Sequence, residues 1–236
     1  MFSLRRVTKW VVLAAVIGSF GLWMKPAPAG GNGNPNPGVA PPQSKPHGRT
    51  FGEWEAKWWQ ALVSIPADPD NPFFVGGAFG DEDHVLFLTG VSGPTTVNIT
   101  IPPGTSLFFP MINSECSSLE APPFHGATEE EQRACANEFI DNVTGVFAEI
   151  DGRPVVNIAD YRTESPQFTI TVPPSNILGV TVPPDTGTSV DAGFYLFLSP
   201  LSVGTHTLHF GGTFGADLGF LVIDTTYNIT VEPPSH

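Results

Sequence analysis

The residues best suited to chemistry stand where an apolar run turns polar. Phe108-Phe109-Pro110-Met111-Ile112 leads straight into Asn113-Ser114-Glu115-Cys116. A strand that ends in Asn, Ser and Glu, with a disulfide to fix that end, can hold a binding group or an acid/base carboxylate rigidly at a rim. The competing expectation is that Asn113 and Glu115 cap the turn or pair with an arginine. Asp151, Arg162 and Asp191 are further polar groups near strand ends. Among the tryptophans, Trp54 and Trp58 fall on an apolar helix stripe with Phe51, Ala61 and Leu62, while Trp59 lies at its edge. Trp59 is therefore the ring expected to reach solvent, where it could stack on a sugar face. Asn113, Glu115, Trp59, Asp151 and Arg162 form the candidate binding set.

The sequence lacks a G-x-S-x-G elbow, an H-E-x-x-H pair, a phosphate loop and a C-x-x-C motif. A serine triad is recognised by geometry and is not excluded by pattern. His206 and His209 are an odd number of residues apart on one expected strand, so they face opposite ways and do not share a metal. No metal ligands are assigned. Calcium is the only cofactor with some support, through the acidic loops Asp68-Pro69-Asp70-Asn71 and Asp81-Glu82-Asp83. Neither follows the EF-hand pattern, because Pro72 and Val85 take the next alternate ligand positions.

The elements that must position these residues are mostly short strands. His84–Thr89, Thr95–Ile101, Ser106–Ile112, Val146–Ile150, Val155–Ile158, Gln167–Val172, Ile177–Val182, Gly193–Leu198, His206–Phe210 and Phe220–Val231 all read as strands, divided by proline-rich turns. Asp151-Gly152 marks a hairpin, since a type I′ turn needs positive φ at both positions. Two helices interrupt the pattern. Thr50-Phe51-Gly52-Glu53 and Thr128-Glu129-Glu130-Glu131 are capping boxes, the first opening a helix to about Val63. The resulting fold class is mainly β: an antiparallel sandwich, jelly-roll or Ig-like in type, with two short α-helices.

The N-terminus sets the compartment. Arg5, Arg6 and Lys9 precede an apolar run from Trp10 to Met24, and Ala27-Pro28-Ala29 follows. That order is the pattern of a secretory signal peptide. The run is shorter than the ~20 residues a spanning helix needs. Residues 1–29 are accordingly expected to be a cleaved leader, with an uncleaved anchor as the alternative. Residues 30–49 read as a Pro/Gly-rich linker that cannot pack, and 50–236 as the sandwich domain.

Four of the ten basic residues (Arg5, Arg6, Lys9, Lys25) lie in the leader, so the remainder sets six against twenty-three acidic residues. Such a surface repels nucleic acid and anionic lipid. Partners are thus expected among extracellular glycans or envelope components, with no membrane contact once the leader is gone. Export also favours a Cys116–Cys135 disulfide over free thiols.

Thr50-Phe-Gly-Glu-Trp-x-x-x-Trp-Trp-Gln60, Ser64-Ile-Pro66 and Phe-Phe-Pro-x-x-Asn-Ser-Glu-Cys116 resemble an uncharacterised family of exported bacterial β-rich proteins. The resemblance continues through Asp151-Gly-Arg-Pro-Val155 and Pro200-Leu-Ser-x-Gly-Thr-His206. Where the family pattern has another aromatic after Trp-Trp-Gln and a Cys-containing Gly-Gln segment, this chain has Ala61 and Phe73-Phe-Val-Gly-Gly-Ala-Phe-Gly80. The resemblance implies export and a β-rich domain, and it brings no activity with it.

The leading functional expectation is a secreted, periplasmic or cell-surface sandwich that works as a non-catalytic binding or structural module, with a glycan as candidate ligand. The alternative is an extracellular hydrolase of a polysaccharide or ester, with Glu115 and a partner such as Asp151 or Asp191 as its carboxylates. Convergent carboxylates in a cleft would favour the enzyme, and an exposed Trp59 on a flat face would favour binding.

Overall fold

A computed structural model describes residues 34–36 and 38–233, so the expected leader lies outside the described residues. The first helix, α1 (Phe51–Val63), opens on a complete capping box in which Thr50 and Glu53 satisfy each other's backbone N–H groups. A four-residue turn of helix, α2 (Pro72–Val75), and four strands follow: β1 (Ala78–Glu82), β2 (Val85–Leu88), β3 (Gly93–Ile101) and β4 (Ser106–Ser117). Helix α3 (Glu129–Asp141) opens on the second capping box. The chain continues with β5 (Thr144–Ile150), β6 (Arg153–Pro154), β7 (Arg162–Glu164) and β8 (Phe168–Thr171). The last three strands are β9 (Thr186–Leu198), β10 (Gly204–Thr213) and β11 (Val222–Val231).

Ten of these strands, all but β3, make the expected mainly-β sandwich of two sheets. One sheet runs β1-β2-β4-β9-β7, with β8 also paired to β9, and the other runs β11-β10-β5-β6. The sheets meet through apolar side chains such as Phe109 and Phe210, whose ring centroids are 4.7 Å apart. Helix α1 buries Trp54, Trp58 and Leu62 in this core. It approaches the sheet so closely that a Cβ on Gly52 would lie 2.3 Å from the Glu164 carbonyl oxygen. Helix α3 covers a second apolar cluster with Ala136, Phe139 and Ile140 against Ile112 and Ala192. The Cys116–Cys135 disulfide joins α3 to β4.

Several local expectations are corrected. The pair β2–β4 is parallel, in a fold expected to be antiparallel. Ile177–Val182 is not a strand, because prolines close both of its ends: Pro173-Pro174 before and Pro183-Pro184 after. Val155–Ile158 is also irregular, but the hairpin expected at Asp151-Gly152 is present: Ile150 pairs with Arg153, and Asp151 and Gly152 are both at positive φ. Helix α2, hidden in a proline-rich connection, is capped by the Asn71 side chain.

The segment read as an unpackable linker is packed in its described part. Val39 bridges to Leu198, and Asn36 is buried, with its amide exchanging hydrogen bonds of 2.9 and 2.8 Å with the Val156 backbone. A single side chain that satisfies both backbone groups of one residue anchors this proline-rich strap alongside the buried Val39.

Candidate functional site

The middle of β4 and β9 holds a buried polar cluster beneath α1. Glu115 and Asp191 are directly opposed across the antiparallel pair, as are Asn113 and Gly193. Glycine is required at 193, because a Cβ there would meet Asn113 Cβ at 2.6 Å and the Tyr195 ring at 2.8 Å. Asp191 accepts three hydrogen bonds. Trp59 Nε1 donates at 2.7 Å, Asn113 Nδ2 at 3.2 Å and the Tyr195 hydroxyl at 2.8 Å. The Asn113 amide also donates to the Tyr195 oxygen at 2.7 Å. Burial raises the Asp191 carboxyl to about 7, and the Trp59, Tyr195 and Asn113 donors act against that rise.

Glu55 of α1 joins this cluster. It is fully buried, and neither carboxyl oxygen makes a hydrogen bond of sound geometry. Burial, and then repulsion by Asp191, push its carboxyl well above the ordinary range, so it is held as a neutral acid.

Glu115 and Glu120 form a second pair nearby. Burial, and then the charge of Glu120, push the Glu115 carboxyl well above the ordinary range, and burial raises Glu120 as well. The hydroxyl of Ser189 donates to Glu115, and that of Ser117 donates to Glu120 at 2.8 Å. Both glutamates face a cavity of about 320 Å³ that is also lined by Trp58, Trp59, Met111, Phe124, Phe214 and Ile223. β2 pairs with β4 only as far as Phe108, and the cavity lies along the stretch of β4 beyond it. Phe73 of α2 and Leu221 stand at the rim, each 42% exposed.

Three of the five candidate binding residues therefore come together: Trp59, Asn113 and Glu115. Trp59 is not the solvent-facing ring expected, since it is 6% exposed and its N–H is committed to Asp191. Asp151 and Arg162 lie elsewhere. Arg162 pairs with Asp141 at 2.6 Å and donates to Asn137 at 2.7 Å, which ties β7 to α3.

Asp151 accepts from the Thr207 N–H at 2.9 Å and lies 2.8 Å from His206 Nδ1. His206 Nε2 is 3.2 Å from the Ser202 hydroxyl, which completes the spacing of a nucleophile triad. The same nitrogen is closer, at 2.9 Å, to the Ser202 carbonyl, which can only accept. Both ring nitrogens thus face acceptors, which favours the imidazolium, and Asp151 is the chief cause that raises the His206 pKa. The ring clamps a loop rather than activating a serine.

Some residues of the acidic loops considered for calcium have other partners. Asn71 caps α2, while Glu82 and Asp83 pair with Arg49, and Lys57 also reaches Glu82. Among the described residues no group of three or more His, Cys, Asp or Glu is placed to hold a metal ion. No helix among them is long and apolar enough to cross a membrane.

Sequence reasoning missed Glu55, Glu120 and Tyr195. Glu55 carried a usable signal: it stands one turn before Trp59 and two before Leu62, so a charge sits within the buried stripe. Glu120 and Tyr195 carried none, because only the fold brings them to Glu115 and Asn113.

No protein-family model and no curated protein matches the chain. Among solved structures, the solution structure of Amebosin is similar at 12% identity, over 63% of this chain and 100% of that one, with a TM-score of 0.20. A likeness at that level carries no argument about fold or function.

Proposed function

We propose that this is an exported, non-catalytic binding protein whose cavity takes a small molecule with an apolar body and a polar head. The observation that carries the reading is the asymmetry of the cavity wall. Its polar side chains come from one stretch, Asn113 to Glu120, apart from Thr89, whose hydroxyl is spent on the Pro72 carbonyl. Largely apolar pockets with a few fixed polar groups are the usual form of small-molecule sites. A flat-face glycan platform loses its support, because Trp59 is covered. Titration with a neutral naphthalene fluorophore tests the reading. One saturable site with blue-shifted emission, abolished by Ile223→Trp, is the expected result, and a linear response unaffected by that variant would refute it. Export is tested by N-terminal sequencing of the mature protein, with Gly30 as the expected first residue.

A second reading is favoured by Glu115 and Glu120 facing one cavity, with the Glu115 carboxyl pushed up by burial. Such a pair can act as joint acid and base on a bound water, which suits ester hydrolysis. Release of alcohol from a panel of chromogenic esters, lost in both Glu115→Gln and Glu120→Gln, would support it. Rates no faster than buffer from folded protein would eliminate it.

A further inference from the structure

Resting on the binding reading, we infer that the head group recognised in the cavity is a cation, in particular a primary ammonium on an aliphatic body. Glu115 and Glu120 face a cavity whose wall contains no lysine, arginine or histidine. The arginines near these elements are already engaged: Arg133 pairs with Glu129 and Glu164, and Arg162 with Asp141. Two carboxyls thus face a largely apolar chamber that has no basic side chain on its wall.

A buried charge without a counter-charge is costly, and a ligand that brings one relieves that cost. An ammonium has three donors, which match the oxygens of two carboxyls and the side-chain oxygen of Asn113. The Asn113 amide nitrogen is already committed to Asp191 and Tyr195, so its oxygen is the atom left over. A carboxylate ligand meets repulsion here, and a neutral alcohol gains only hydrogen bonds. Exposed Phe73 and Leu221 at the rim offer an apolar path for the body of the ligand.

The groups facing the pair are the hydroxyls of Ser189 and Ser117, with Asp191 across the strand from Glu115 and His125 near Glu120. Of these, His125 is the one side chain able to carry a positive charge. Its Nδ1 is held 2.8 Å from the Glu120 carbonyl, and it does not line the cavity.

Calorimetry with octylammonium, 1-octanol and octanoate on the wild-type chain separates the possibilities. The expected order at pH 7 is octylammonium at least tenfold tighter than octanol, with octanoate not binding. The ammonium should weaken as pH falls and the carboxyls of the pair are protonated, while octanol should not. Glu120→Gln should bring the ammonium down to the level of the alcohol, and Ile223→Trp should abolish binding of both. Octanol binding as tightly as the ammonium would overturn the inference and leave the binding reading standing. Ammonium binding that survives both substitutions would place it on the acidic surface and overturn the inference as well. Failure of all three ligands to bind would overturn the binding reading itself.

Discussion

Glu55 shows how a buried acid can be tolerated without a conventional partner. It sits beside Asp191 with no hydrogen bond of its own, and it remains there because it is neutral. A carboxyl whose folded pKa is raised contributes its full stability below the unfolded value, 4.5 for Glu, and loses it as pH rises through the folded value. Glu55→Gln should therefore leave stability nearly unchanged at pH 4 and increase it at pH 8. The gain should be about 1.4 kcal/mol for each pH unit by which the folded pKa is raised. Denaturant melts at the two pH values measure it, and an equal loss at both would mean that the carboxyl is needed for its shape rather than tolerated for its neutrality. Asp191 differs, because its three donors would each be stranded by truncation at ~1–3 kcal/mol.

At the scale of elements, the two long helices were readable because their signals are local. Thr50 with Glu53 and Thr128 with Glu131 are each three residues apart, and both pairs form the reciprocal cap. Most strands were readable from alternation, β11 most plainly. The partners of those strands were not readable, since nothing in Glu115 specifies that Asp191 will lie opposite. Asn113 and Glu115 stood out because an apolar run ended on them; their joint role depends on a pairing made through residues far along the chain. Asp151 and Arg162 looked similar in sequence and proved to be a loop clamp and a strand–helix tie. The disulfide also acts at this scale, holding α3 to β4. Replacing both cysteines by serine should cost about 3 kcal/mol in the chain-entropy model. Amide exchange should then rise first in α3, and uniform acceleration across both sheets would argue against a local tether.

Across the whole molecule, the titrating groups favour mildly acidic conditions. Glu55, Glu115 and Asp191 all have raised carboxyl pKa values, and Asp191 loses its contribution between 3.8 and about 7. The clamp between Asp151 and His206 has two limits. Asp151 is lowered by His206 and Thr207 against the opposing effect of burial, so its contribution is present above 3.8 and lost as pH falls. His206 is raised, so its contribution is complete below 6.5 and lost as pH rises further. The melting temperature should peak near pH ~4 and fall toward pH 8. His206→Gln should flatten the part of that decline above pH 6.5. A peak at pH 8 in thermal melts would contradict both assignments. The central pairing has a further consequence, for biosynthesis. Leu107 pairs with Leu198, about 90 residues later in the chain. At ~5–20 residues per second a ribosome takes several seconds to cover that distance. Throughout that interval Phe108 and Phe109 have been made but lack β9, so the growing chain displays its greasiest segment before its cover exists. Such a nascent chain calls for an escort, and a version truncated before Thr186 should aggregate unless a holding chaperone is present.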